Sequence, residues 1–96
     1  MKVRLSPRAL REAKRLKSWW VKNRRANDLF DEELAKTLDT LGATPTIGTP
    51  YPSKLQVPVR RVLMKKTNNH VYFTVRGDEV VILSVWGAPR KRGPKL

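Results

Sequence analysis

Three short apolar runs crowd the last third of the chain: Val59–Lys66, His70–Val75 and Val80–Gly87. Turn signals separate them, Asn68-Asn69 before the second and Gly77-Asp78 before the third, the latter pair being of the Gly-X kind that closes two-residue hairpins. Runs of this length bounded by such turns read as β-strands. In the middle run Val71, Phe73 and Val75 point one way and His70, Tyr72 and Thr74 the other. The third run is apolar almost throughout, as a central strand covered on both faces would be. An antiparallel meander at this end of the chain therefore limits what the rest can do: it must supply a layer that covers one face.

The first 42 residues supply that layer. Lys2-Val3-Arg4-Leu5 alternates polar and apolar and predicts a short first strand. Ser6-Pro7 then opens a helix, with serine as N-cap and proline at the first helical position. At 100° per residue Ala9, Ala13, Leu16 and Trp20 share one stripe, while Arg11, Lys14, Arg15, Lys22 and Arg25 lie opposite. Trp19 falls on the flank of the stripe. The pattern breaks over residues 23–27, and a second helix is expected from an Asn27 N-cap, with Asp28, Asp31, Glu32 and Glu33 in its first turns. Phe30, Leu34, Leu38 and Leu41 form its apolar face, and Gly42 is the expected stop. The acids cap and solvate this helix and are placed to pair with the basic first one. Residues 43–58 carry Pro45, Pro50, Pro52 and Pro58, which argues against regular structure; the segment is expected to pack across one end of the sheet.

The expected fold is thus α+β, in the order β-α-α-β-β-β, with two antiparallel helices packed on one face of a small antiparallel sheet. The first strand joins the sheet beside the last strand or next to it. Residues 1–88 form one domain, and residues 89–96 a basic, flexible C-terminal tail.

Charge bears on partners. The 96 residues carry 21 Lys+Arg against 8 Asp+Glu, a formal net charge of +13. Such a field favours anionic partners: nucleic acid, an acidic protein or an anionic membrane surface. It is also patterned: ten bases and one acid, Glu12, in residues 1–25, then five acids and one base in residues 26–42. No apolar run approaches the ~18 residues of a membrane span, and no signal-peptide pattern precedes the first strand. A cytoplasmic protein without membrane attachment is expected.

One histidine and no cysteine exclude an ordinary structural zinc site. Glycine-rich phosphate loops are absent, and no cofactor is expected. What remains is the sheet face away from the helices. Arg60 or Arg61 (alternation puts only one on a given face), Lys65, Lys66, His70, Tyr72 and the tail residues Arg90, Lys91 and Arg92 can converge there. Cations with an aromatic ring suit phosphate contacts and base stacking. The same set could cut RNA without metal: His70 has the pKa for either proton role, and arginines would hold the phosphorane.

Val3-Arg4-Leu5-Ser6-Pro7-Arg8-Ala9, then Arg60-Arg61-Val62-Leu63 with His70-Val71-Tyr72-Phe73, then Ile82-Leu83-Ser84-Val85-Trp86-Gly87-Ala88 with Arg90, together resemble the RelE/ParE toxins of type II toxin–antitoxin systems over nearly the whole chain. The resemblance implies a small toxin, of the kind associated with plasmid stabilisation, neutralised by a cognate antitoxin through an extended or helical segment; Trp19, Arg15 and Lys22 on the first helix are the expected antitoxin contacts. RelE-like members cut mRNA on the ribosome with cationic sheet residues and a late residue, often tyrosine. ParE-like members lack that set and poison DNA gyrase. Here His70 stands where the ribonucleases carry an arginine, no tyrosine follows Tyr72, and the Trp86-Gly87-Ala88 ending resembles the ParE branch. The ParE reading, inhibition of gyrase by binding, is therefore preferred. A ribosome-dependent endoribonuclease using His70, Arg61 and Arg90 is the alternative, and a non-toxic basic nucleic-acid-binding module the second.

Overall fold

The computed structural model describes residues 1–24, 28–87 and 93–96. Its elements are β1 (Lys2–Leu5), α1 (Pro7–Asn23), α2 (Leu29–Ala43), β2 (Thr49–Pro50), β3 (Arg60–Met64), β4 (Asn69–Arg76) and β5 (Glu79–Gly87). They form a five-stranded sheet in the order β1-β5-β4-β3-β2, with both helices on one face.

The expected element order and the helix layer are present. The sheet, however, is mixed and not wholly antiparallel. β1 runs parallel to β5, from Lys2 opposite Glu79 to Leu5 opposite Ile82, whereas β2–β3, β3–β4 and β4–β5 are antiparallel. From β1 the chain passes through α1 and α2 to β2 at the far edge of the sheet, and the antiparallel meander β2–β3–β4–β5 then brings it back beside β1 in the same direction, which a direct hairpin cannot do.

α1 begins where the Ser-Pro signal places it: Ser6 Oγ accepts from Ala9 N at 3.1 Å. Its apolar stripe is the buried one, with Ala9 at 0% and Ala13 at 7% exposure. Small side chains let the helix lie close on β5. The core joins Phe30 and Leu41 of α2 to Val71, Phe73, Val80, Ile82 and Val85 of the sheet, with Leu16, Trp20, Leu34 and Leu38 around it.

α2 departs from expectation at both ends. Its N-cap is Asp28, whose side chain makes no capping bond; Asn27 lies outside the described residues. The helix continues through Gly42 to Ala43. Gly42 is needed for closeness instead of termination: a Cβ there would stand 3.0 Å from Met1 O and 3.3 Å from a Val3 methyl. The Met1 ammonium donates to Gly42 O at 2.9 Å, so a positive charge sits at the negative end of the helix. The acidic turns also serve the tertiary fold. Asp31 pairs with Lys17 of α1 at 2.9 Å. Glu33 accepts from Lys66 N at 2.7 Å, Thr67 N at 2.9 Å and Thr67 Oγ1 at 2.6 Å. One carboxylate thereby fixes the β3–β4 turn, where Asn68 takes a left-handed φ of 59°.

The proline-rich segment is less irregular than expected, because Thr49 and Pro50 pair with Arg61 and Arg60 as a two-residue edge strand. Proline is tolerated at an edge, where the ladder asks nothing of its missing N–H. Beyond β2 the chain crosses the helix-free face at one end of the sheet. There Thr74 Oγ1 donates to Pro58 O at 2.7 Å, and Thr74 is buried.

Candidate functional site

Alternation along β3 puts Arg61 and Leu63 on the face away from the helices, and Arg60, Val62 and Met64 on the helix side. β4 contributes His70 and Tyr72 to the outer face, opposite Leu63 and Arg61. β5 contributes Trp86 and Ser84 beside them. The β4–β5 register slips between Tyr72 and Phe73, so that Leu83 is an extra residue on β5. Such a bulge re-aims the strand locally.

Arg61, Tyr72, Tyr51 and His70 make one cluster. The Tyr51 and Tyr72 rings meet edge to face with centroids 4.6 Å apart. The Arg61 guanidinium carbon lies 5.5 Å from the Tyr51 ring centre, and Arg61 also hydrogen-bonds the Tyr72 side chain. The His70 ring is 6.0 Å from that of Tyr72. The ion pairs among the described residues are Arg4–Glu79, Arg8–Glu12 and Lys17–Asp31, and Arg61 is in none of them. It is a half-buried cation held by aromatic rings, a setting suited to an external anion.

This environment moves both titratable rings. Burial, and then the charge of Arg61, lower the His70 pKa from its ordinary 6.5. His70 is therefore mainly neutral at pH 7. Burial raises the Tyr72 pKa above 10.0, against the opposing hydrogen bond from Arg61. Tyr72 is 1% exposed, so its hydroxyl is a poor proton donor to anything outside.

The last four residues lie over this cluster. Tyr51 Oη donates to Pro94 O at 2.8 Å, Arg8 Nη1 to Lys95 O at 2.8 Å, and Lys54 N to Leu96 O at 2.8 Å. A Cβ on Gly93 would stand 2.9 Å from the Tyr72 hydroxyl and closer still to that of Tyr51.

The other expected site residues separate. Arg60 is turned to the loop before β2, where it donates to Ile47 O at 3.0 Å and Gly48 O at 2.7 Å. Lys65 and Lys66 are exposed at the β3–β4 turn, away from Tyr51. Arg90, Lys91 and Arg92 lie outside the described residues. Arg15, Lys22 and Trp19 are exposed on α1. Trp19, 46% exposed, packs edge-on against Trp20, and Arg24 lies 5.3 Å and 5.7 Å from the two ring centres. Tyr51 was not among the residues singled out from sequence, although it is the lone aromatic of the proline-rich segment.

The model of a protein family described as the ParE toxin of the type II toxin–antitoxin system, parDE, matches residues 3–91. The chain belongs to the ParE toxin family. Among solved structures, this ParE-family toxin is similar to a chain of the chromosomal ParDE toxin–antitoxin system from P. aeruginosa, with 17% identity, 91% of this chain and 95% of that chain covered, and a TM-score of 0.70. A YoeB dimer from Staphylococcus aureus gives 14% identity, coverage of 90% and 94%, and a TM-score of 0.59. At these identities the likeness is one of fold. No curated protein sequence matches the toxin significantly. Among its described residues no helix is long and apolar enough to cross a membrane, and no group of His, Asp or Glu could hold a metal ion.

Proposed function

We propose that this ParE-family toxin acts by binding DNA gyrase and blocking its supercoiling reaction, and that a cognate antitoxin neutralises it. The observation that carries the binding reading is the state of Tyr72. RNA cleavage needs one group to take the 2′-hydroxyl proton and another to protonate the leaving oxygen. Neutral His70 could serve as a base. The neighbouring Tyr72 hydroxyl belongs to a ring packed against Tyr51, and burial raises its pKa, which argues against a matched acid on this face. The cationic surface itself needs no proton transfer in order to hold an anionic target.

The antitoxin surface is assigned to the outer flank of α1, where Trp19 is exposed between Arg15 and Lys22. An exposed tryptophan ringed by cations fits an amphipathic, acidic segment.

Purified gyrase tests the target. Supercoiling is expected to fall as toxin approaches equimolar amounts, to recover when antitoxin is added, and to proceed while a translated mRNA stays intact. Normal supercoiling at a large toxin excess would rule the target out.

One observation favours a second reading, a ribosome-dependent endoribonuclease: Arg61 and His70 share a face and interact electrostatically, as a phosphate clamp and base would. In that case transcripts are cut at the ribosomal A site, and a His70→Ala variant loses the cuts.

A further inference from the structure

We propose that Gly93–Leu96 is an autoinhibitory strap, which closes the Tyr51–Tyr72–Arg61 cluster and must leave before a nucleic-acid strand can bind there. The inference rests on the cationic sheet face contacting nucleic acid and not on gyrase being the target.

The fastening is built from the body of the fold onto the main chain of the strap. Three donors from three places, the Arg8 guanidinium on α1, the Tyr51 hydroxyl and the Lys54 amide, reach the main-chain oxygens of Lys95, Pro94 and Leu96 respectively. Two of these donors are side chains that can turn to another acceptor. Phosphate oxygens are stronger acceptors than carbonyls and carry full charge. A phosphodiester strand laid along the same line would meet Arg8, Tyr51 and the Arg61 guanidinium, which is in no ion pair among the described residues.

Its footing is small. Pro94 is the buried residue among the four, while Lys95 is exposed. Contacts of this kind lie at the low end of the local-opening scale, so the strap can release while the sheet stays folded. The sequence also fits a close-lying strap. Gly93 is the residue that brings the main chain onto both tyrosine hydroxyls, and any side chain there would collide with them. A groove of about 760 Å³ lies between the strap and Tyr51–Lys54. Tyr51 lines this groove, and with the strap gone the wall opposite it is removed, leaving the Tyr51 ring open as a stacking platform already carrying a cation at 5.5 Å.

The test compares the wild-type chain with Gly93→Val and with a chain ending at Arg92, which keeps the basic residues before the strap. Circular dichroism checks that each is folded. Hydrogen exchange at the Lys54 amide reports whether the strap is in place, because that amide donates to Leu96 O. Affinity for a short fluorescent single-stranded DNA is then measured by anisotropy at one fixed low salt concentration.

Both variants are expected to lose protection at Lys54 and to bind the oligonucleotide about tenfold more tightly, the gain set by how rarely the strap is open in the wild type. Adding Arg61→Ala to either should abolish the gain. Equal affinity of wild type and strapless protein overturns the proposal, and so does a gain that survives Arg61→Ala. If Lys54 stays protected in Gly93→Val, the chain ending at Arg92 alone decides. Gyrase takes no part in the measurement, so a failure here is read separately from a failure of the target assignment.

Discussion

Glu12 on α1 and Val85 on β5 are joined directly: the Val85 amide donates to Glu12 Oε1 at 3.2 Å, and Ser84 Oγ donates to the same oxygen at 2.7 Å. The reason lies in where β1 stops. Beyond the Leu5–Ile82 pair the edge of β5 has no neighbouring strand. Ser6 N takes Ile82 O at 2.9 Å and Ser6 Oγ takes Leu83 O at 3.3 Å, and Glu12 serves the next donor. A helix carboxylate thus finishes the ladder that β1 leaves incomplete. Removing it should expose that edge. Glu12→Ala is expected to lower the unfolding free energy by about 2 kcal/mol, the scale of a charged acceptor withdrawn from part-buried donors. Glu12→Gln, which keeps an acceptor oxygen, should lose less. Urea denaturation measures both, and an alanine variant as stable as its parent contradicts the assignment.

The histidine makes stability depend on pH in a definite direction. Its folded pKa lies below 6.5 because burial, and then Arg61, disfavour the charged ring. The unfolded chain therefore takes up the proton first. The contribution is fully present above pH 6.5, declines as the pH falls from there through the folded pKa, and is constant below it. A His70→Gln variant should lack this segment of the curve. Titration of the ring by NMR gives the folded pKa directly, and Arg61→Gln should raise it only part of the way, because burial, the larger cause, remains. A ring titrating at or above 6.5 in the wild type is the adverse result.

Adjacent arginines should behave oppositely. Arg60 holds two loop carbonyls, so Arg60→Ala should destabilise the fold by about 1–2 kcal/mol. Arg61 faces outward and is in no ion pair among the described residues, so Arg61→Ala should reduce inhibition of gyrase while costing less stability than Arg60→Ala, its loss being limited to the Tyr51 ring contact and the Tyr72 hydrogen bond. Thermal melting and a supercoiling assay on both variants separate the two roles. Loss of stability with Arg61→Ala and not with Arg60→Ala would reverse them.

Trp19 can be tested without touching the sheet. Its ring is nearly half exposed and contacts Trp20 and Arg24, so Trp19→Ala should leave the melting temperature almost unchanged. Antitoxin affinity should fall by about 2 kcal/mol, as at a hot-spot residue. Calorimetric titration with the antitoxin that returns wild-type affinity would move the interface elsewhere. Weakening of the wild-type complex by added salt is expected from Arg15 and Lys22 beside it.

Much of the fold was written in short-range signals. Ser6-Pro7 marked the start of α1, the spacing of Ala9, Ala13, Leu16 and Trp20 marked its buried side, and the alternation through His70–Val75 put His70 and Tyr72 on one face. Each of these depends on neighbours a few residues apart. The parts that could not be read depend on partners far along the chain. Periodicity identifies β1 as a strand but carries no information about its direction. Gly42 reads equally well as a helix stop or as a close approach, and only the arrival of Met1 and Val3 decides for the latter. In the sequence Glu12 is only the single acid among ten bases, since nothing local points to Val85, 73 residues away. The site shows the same division: alternation puts His70 and Tyr72 on one face and leaves the choice between Arg60 and Arg61 open, while Tyr51 and Gly93 enter from an irregular segment and from the tail.

The parallel pairing of β1 with β5 also sets a clock. Lys2 and Leu5 are made long before their partners, Glu79 and Ile82. At about 5–20 residues per second, the first strand waits some seconds with its backbone unmatched, and no earlier portion of the chain can complete the sheet. Harmful activity consequently arrives late and all at once in synthesis. If the antitoxin binds the α1 flank, as proposed above, an antitoxin already in the cell has that interval in which to meet the nascent toxin, before there is a finished sheet to restrain.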